Sequence, residues 1–535
     1  MKPIDRATRK ARLTGQLDLL VVGGGITGAG IALEAARRGL KVGLIEQRDF
    51  AWGSSSRSSK LVHGGLRYIK QGQLRLTLES VRERQHLLRE TGGLVEEQRF
   101  MLGDYAHRKP GKRVLGIGLA IYDLMAGART RRYWPADETL LYAPHIRRQG
   151  LLGGSSYLDA KTDDARLVLR TLAEAESHGA VTLNYLEATH PIRKGQQVVG
   201  MQATDLIDGS NITLSAHVVI NATGAWADRL RTAIGAAPKM RPLRGSHLIF
   251  PLWRLPVAQA VSFMHPWDGR PVFAYPWEGV ALLGTTDLDH ADVTEEAAIS
   301  PKEVAYLMAA VDWQFPDLGL GLTDVLSTYA GVRPVLATGA ADPSKEARDH
   351  VVLQEDGMIT VTGGKLTTFR TIALDALKHV AARLPHWAAD LNPTTVFAPS
   401  EPLLQPHVPP TLARRLQARY GVAAANVIAS AQADELTPIG STTFTWAELR
   451  WAAQYEQVAH LEDLLLRRTR LGLLLPQGGR AYLPRMVQIA ADALGWDAAR
   501  RDTEAAAYTR LIATHYSLPD AALIPAWDVA PTASH

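Results

Sequence analysis

Gly23, Gly25 and Gly28 stand in the order Gly-x-Gly-x-x-Gly inside DLLVVGGGITGAGIALEAARRGLKVGLIE, residues 18–46. Glycines at this spacing serve one chemistry, the holding of a dinucleotide diphosphate against bare backbone. Gly23 permits the tight turn, Gly25 lets the diphosphate approach, and Gly28 lets helix and strand pack closely. Ile26 and Thr27 open a helix whose N-terminal N–H groups and dipole favour phosphate. Glu46 ends the second apolar run, where a carboxylate can accept hydrogen bonds from a ribose diol. A bare glycine triplet is also an ordinary turn, but here strand, glycines, helix, second strand and acid all follow at the required spacing.

The elements that must position this motif are legible around it. Leu19–Val22 and Val42–Ile45 read as buried parallel strands. Residues 74–91 and 163–178 read as helices, the second capped by Asp163 and Asp164. Alternating patterns over 196–220 end in Val218–Ile220, and the turn Asn221-Ala222-Thr223-Gly224 returns the chain to the dinucleotide sheet. A strand- and tryptophan-rich section spans 240–290. Ile359–Val361 leads into Thr362-Gly-Gly364-Lys365-Leu366-Thr367 and a further helix. Six prolines between Pro393 and Pro410 mark a linker. Beyond it the pattern is helical, notably over 446–470.

The expected fold class is therefore α/β, a Rossmann-type unit with an inserted β-rich domain and a helical cap. The nucleotide-binding part is placed at 17–100, 150–240 and 325–390, and the inserted part at 101–149 and 241–324. The linker covers 391–410 and the cap 411–520. Residues 1–16 are expected to be a mobile basic arm and 521–535 a frayed tail.

Composition narrows the function. At 535 residues, 46% hydrophobic and 21% charged, the chain is globular and long enough for two or three domains. It contains no cysteine, which removes disulfides, thiolate catalysis and a cysteinyl flavin bond. No apolar run is long enough to span a bilayer, and the basic N-terminus lacks a signal-peptide core, so a cytoplasmic protein is expected. The net charge of +5 is modest and does not point to nucleic acid. Between Arg108, Lys109, Lys112, Arg113 and Arg129, Arg131, Arg132 lies VLGIGLAIYDLMAG, which reads either as a membrane-surface helix for anionic lipid or as a core helix with solvated ends. The 17 histidines show no metal-ligand spacing.

SSKLVHGGLRY, GSHLIF, GTTDLDH, AGVRPV and TGGKLTTFR, in this order, resemble the FAD-dependent, membrane-associated glycerol-3-phosphate dehydrogenases, within the D-amino-acid-oxidase-like flavoproteins. The resemblance is strong over about 17–385 and weaker beyond. No calcium-loop pattern follows the helical part, so the likeness is to the bacterial form.

That resemblance implies oxidation of glycerol 3-phosphate with non-covalent FAD, membrane quinone as acceptor, and a homodimer held peripherally at the membrane. It places Gly364, Lys365, Leu366 and Thr367 beside the flavin, and Ser58, Ser59, Lys60, Leu61, Ala222, Thr223 and Gly224 along the cofactor. A phosphate dianion needs several cations, and guanidinium offers paired planar donors. Arg67, Arg270, Arg333 and Lys365 are the candidates, with the Tyr68 hydroxyl beside them. His63, next to Gly64-Gly65, leads as the base for the substrate hydroxyl, with His247 second and Arg333 assisting. Competing expectations are an oxidase or amine oxidase of the same superfamily, an RNA-acting or interaction flavoprotein, and a nicotinamide cofactor.

Overall fold

The computed structural model describes residues 4–66, 69, 72–106, 111–290, 292–337, 349–388, 390–403 and 405–527. Arg67 and Tyr68 lie outside the described residues. The run Leu17–Val22, apolar except for Asp18, forms a strand buried on both faces, flanked in parallel by Val42–Ile45 and Asn211–Asn221. Val181–Leu183 extends this sheet on one side. Met358–Gly363 and the antiparallel His350–Glu355 extend it on the other. Helices Ile26–Ala36, Asp164–Ser177 and Phe369–Ala381 share one apolar core with the central strands, as a parallel sheet requires. The glycine turn therefore lies at the carboxyl ends of parallel strands, where such sheets bind ligands.

A second, ten-stranded and largely antiparallel sheet carries most of the candidate side chains. Leu243–Pro251 pairs with Val280–Gly284 on one side and Ser327–Arg333 on the other. Val95–Tyr105 and Leu151–Thr162 also belong to it, the latter pairing with Leu61–Val62. The expected boundaries put 150–162 and 327–333 with the nucleotide-binding part. Those strands cross into the second sheet instead, because their pairing partners lie there.

Three more expectations are corrected. Residues 6–13 are not a free arm but a helix, N-capped by Asp5. Three of its basic residues find acids: Arg6 and Lys10 reach Asp205, and Arg9 reaches Glu176. The proline-rich stretch is not a loose linker, since Val396 and Phe397 are buried and Arg37 donates to the carbonyls of Thr395 and Val396. Of the tail, the described residues end on Trp527, which is docked: its Nε1 donates to Asp312 at 2.6 Å.

The helical part is not continuous over 446–470. The helix Trp446–Tyr455 opens on a Thr445/Glu448 capping box and stops before Gln457, which has a φ of +53°. A π-helical turn, Asp463–Arg468, follows.

Candidate active site

The glycine turn is built as its spacing predicts. A Cβ at Gly28 would sit 1.9 Å from the Gly23 carbonyl oxygen. Gly23 has a φ of +117°, and a Cβ there would lie 2.5 Å from the Ala222 carbonyl oxygen. Gly25 is the N-cap of the helix Ile26–Ala36 and brings no capping side chain, and the first turn holds no acid. Bare N–H groups and an uncompensated positive dipole end are what a diphosphate needs. These residues fit the dinucleotide end of FAD. Ile26 N donates to Ser55 Oγ at 2.9 Å, so the following loop is fastened to the same turn. Glu46 accepts from Gly24 N at 2.7 Å and Arg48 N at 2.8 Å. Burial pushes its carboxyl pKa upward, which these two donors only partly offset.

Thr367 and Lys365 come together with His63. Lys365 precedes the single 3-10 turn Leu366–Thr368, which runs into the helix from Phe369. Thr367 Oγ1 donates to the His63 carbonyl at 3.4 Å, and Lys365 Nζ donates to Ser80 Oγ at 3.1 Å. His63 is half-buried. Its neighbour Gly64 donates its N–H to the Tyr122 hydroxyl at 2.9 Å.

Arg270 and Arg333 also converge, on an acid outside the candidate site residues. Asp287 Oδ1 accepts from Arg333 Nη1 at 2.7 Å, and Asp287 Oδ2 lies 3.0 Å from Arg270 Nη2. Arg333 further donates to the Thr286 carbonyl and to Thr285 Oγ1. Its guanidinium lies across Gly245, where a Cβ would come within 2.3 Å of it. Asp287 stood in the GTTDLDH run and was visible there only as an acid beside two threonines.

His247 is 1% exposed and stacks on Tyr329 with ring centroids 4.5 Å apart. Gly284, its cross-strand partner, leaves room for the ring, since a Cβ there would sit 2.1 Å from it. Nε2 bonds Ser59 Oγ at 2.9 Å, while Nδ1 is buried without a partner. Burial, reinforced by the Arg333 and Lys60 cations, holds the imidazole pKa well below its usual value, so the ring is neutral. A neutral, sealed ring of this kind positions Ser59 rather than meeting solvent.

Lys60 turns its side chain inward, against its own loop and Asp164. It is fully buried, with a φ of +53°, and Nζ donates to the Ser56 carbonyl at 2.9 Å and to Asp164 at 3.1 Å. Burial and the adjacent Arg470 cation push the ammonium down to about 7. Only the backbone of Lys60 is left to face a cofactor. The Ser58 carbonyl accepts from the Tyr329 hydroxyl at 2.8 Å, and the Ser59 carbonyl from the Tyr275 hydroxyl. These two tyrosines and Asp164 are structural supports that neither spacing nor periodicity reveals.

The geometry thus joins a dinucleotide turn to a second sheet holding paired guanidiniums and a neutral imidazole. Residues 18–370 match the family model described as FAD dependent oxidoreductase, and 370–501 match the C-terminal domain of alpha-glycerophosphate oxidase. The chain belongs to the FAD-dependent oxidoreductases. It is 33% identical to the aerobic glycerol-3-phosphate dehydrogenase of Staphylococcus saprophyticus, over 92% of this chain and 93% of that protein. The enzyme of the same name from Staphylococcus epidermidis is 34% identical with the same coverage. A glycerol-3-phosphate dehydrogenase from Bacillus halodurans, solved with FAD, aligns with a TM-score of 0.76 and 28% identity over 95% of this chain and 97% of its own. L-alpha-glycerophosphate oxidase from Mycoplasma pneumoniae shares the fold, at a TM-score of 0.58 and 19% identity over 73% of this chain and all of its own. The expectation of an FAD-dependent α/β oxidoreductase with a helical C-terminal domain is therefore borne out.

Proposed function

We propose that this flavoprotein oxidises sn-glycerol 3-phosphate to dihydroxyacetone phosphate and passes the electrons to a membrane quinone. The observation that carries the reading is the convergence of Arg270 and Arg333 on Asp287, one strand pairing from His247 and Ser59. Two planar guanidiniums suit a phosphate dianion better than a lone carboxylate. The S. saprophyticus and S. epidermidis relatives are aerobic glycerol-3-phosphate dehydrogenases.

FAD, when bound, supplies a two-electron acceptor for the hydride on the substrate's C2. Gly23, Gly25, Ile26, Thr27 and Gly28 would hold its diphosphate, with Glu46 at the ribose. Ser58, Ser59, Leu61, the Lys60 backbone, Ala222, Thr223 and Gly224 would line its length. Gly364, Lys365, Leu366 and Thr367 would meet its ring, where a cation and a helix start favour negative charge. Arg270, Arg333 and Lys365 grip the substrate phosphate, with Arg67 and Tyr68 assigned to the same anion by sequence. His63 takes the C2 hydroxyl proton on its ring nitrogen. His247, neutral and bonded to Ser59, is the second candidate.

The test is anaerobic. Yellow holoenzyme mixed with glycerol 3-phosphate should bleach, and a spectrum that stays oxidised overturns the substrate. His63→Asn should slow bleaching by ~10²–10⁴-fold; if His247→Asn does so and His63→Asn does not, the roles exchange. Reduction of a quinone analogue without peroxide supports the acceptor, and oxygen uptake at the same rate rejects it.

Among the described residues no helix is long and apolar enough to cross a membrane. Peripheral docking is supported by the helix Lys112–Ala126, whose Val114, Ile117 and Leu124 are 65%, 65% and 83% exposed. Lys112, Arg113, Arg129 and Arg132 are exposed around it, whereas Arg131 is tied to Asp123 at 3.0 Å. Arg108 and Lys109 lie outside the described residues. Binding to anionic vesicles should weaken in a Lys112/Arg113/Arg129/Arg132→Ala variant, and equal sedimentation would reject this face. A cytoplasmic homodimer at the inner membrane surface completes the reading.

A further inference from the structure

Buried charges join the helical part to the rest at Arg419–Asp163 and Arg166–Glu456, and a further group of them meets a single loop. Asp49 accepts from Arg467 Nε and from both terminal nitrogens of Arg468, at 2.8 Å for Arg468 Nη2. Arg470 Nη2 donates to the Ser56 carbonyl at 2.6 Å and to Asp164 at 3.3 Å. Arg57 Nη2 donates to the Tyr516 hydroxyl at 3.0 Å. In this further group, every member except the Tyr516 and Asp164 side chains belongs either to residues 49–57 or to the short run Arg467–Arg470.

The same loop is bonded to the glycine turn. Ala51 N donates to the Gly24 carbonyl at 3.0 Å, and Ser55 Oγ accepts from Ile26 N at 2.9 Å. A displacement of Asp49 or Ser56 is therefore felt at the helix start that receives the diphosphate.

The helical side of this contact has unusual backbone. Asp463–Arg468 is a π turn, and Arg470 has a φ of +62°. The wider turn lets adjacent Arg467 and Arg468 reach one carboxylate, and the left-handed residue swings Arg470 to Ser56. Both conformations are rare and persist where surrounding contacts hold them.

We propose that Asp463–Arg470 is a clasp that holds the 49–60 loop in the shape that receives the cofactor, so that FAD binding and docking of the helical part reinforce each other. The proposal rests on the reading that FAD lies along this loop. It gives the helical part a role toward the cofactor without any residue touching substrate.

The test uses full-length apoprotein titrated with FAD, followed by flavin fluorescence. Arg468→Met and Arg470→Met should each raise the FAD Kd about tenfold or more, within the usual range of coupling. Arg450→Met is the control, because Arg450 pairs with Glu435 at 2.6 Å inside the helical part; its Kd should stay within about twofold. Clasp variants that match the control overturn the proposal. Should the variants fail to fold, wild type decides: FAD should slow tryptic cleavage after residue 391 about fivefold, and equal rates with and without FAD overturn it. Ser59→Ala separates the two premises. If it leaves the FAD Kd unchanged while the clasp variants raise it, the clasp acts through the glycine turn alone and the placement of FAD along 58–60 is what fails.

Discussion

Two of the places where a pair of arginines shares one aspartate differ in how far water reaches them. Arg270 and Arg333 meet on Asp287 with their side chains 26% and 24% exposed. Arg467 and Arg468 meet on Asp49 with theirs 1% and 0% exposed. The composition is the same and both carboxylates are buried, but the guanidiniums are partly open at Asp287 and sealed at Asp49. At Asp49, burial pushes the carboxyl up, and Arg468 and Arg467 overcome it and hold the group down to about 2. Such a cluster is sealed, and removing one member strands a charge in low dielectric. The cluster at Asp287 keeps an edge toward solvent, so a dianion can draw its guanidiniums at little cost. Under the proposed function, exposure of the guanidiniums, not residue type, separates the two clusters.

The largest effect expected from this contrast is on stability. Arg468→Met leaves Asp49 short of a buried partner and should lower the unfolding free energy by ~3–5 kcal/mol in urea titration. Arg333→Met should cost less than ~1 kcal/mol in the same measurement. Equal losses would erase the distinction. Kinetics should show the mirror image. Arg333→Met should lower kcat/KM for glycerol 3-phosphate by ~10²-fold, the scale of a charge-assisted contact to phosphate. Arg468→Met, assayed per bound flavin, should stay within about threefold. A clasp variant with the larger kinetic defect would mean that the sealed cluster also shapes the substrate site.

The open cluster was half legible in the sequence and the sealed one not at all. Arg270 and Arg333 stand beside Pro-Val-Phe and Gly-Val-Arg-Pro runs that predict strands, so their placement on a sheet follows from local pattern. Asp287 is absent from that pattern because its role depends on two arginines 17 and 46 positions away. Arg467 and Arg468 looked like the basic end of a long helix, as a dipole favours. The helix ends at Tyr455 instead, because tertiary ion pairs with a residue 418 and 419 positions earlier override local propensity. The glycine turn, both flanking strands and Glu46 were legible because every requirement there is met within thirty residues. The N-terminal helix was missed for the opposite reason: its acids, Asp205 and Glu176, are distant in sequence.

Two cations act on His247: Arg333 of the Asp287 cluster and Lys60, which pairs with Asp164. Burial comes first in keeping it neutral, then Arg333, then Lys60. Its folded pKa is thus below the 6.5 of the unfolded chain. Between those two values the unfolded state binds more protons, so stability is present above pH 6.5 and is lost as pH falls below it. Wild type should lose ~1.4 kcal/mol per pH unit more than His247→Asn in that acid range, measured by urea unfolding across pH. Parallel slopes would mean that His247 is protonated in the fold and that its bond to Ser59 has another origin.

Ionic strength gives the smallest effect and the sharpest contrast. Added salt shortens the screening length from ~10 Å at 0.1 M to ~3 Å at 1 M, and only charges that face water feel it fully. The Arg270 and Arg333 side chains, 26% and 24% exposed, should therefore lose attraction for a phosphate dianion, raising KM for glycerol 3-phosphate several-fold across that range. The Asp49 cluster admits no counterion to its 0–1% exposed groups, so the stability gap between wild type and Arg468→Met should hold within ~0.5 kcal/mol over the same range. A KM indifferent to salt would place the phosphate away from Arg270 and Arg333. A stability gap that shrinks with salt would show that water reaches Asp49, and the two arginine–aspartate clusters would then differ in degree rather than in kind.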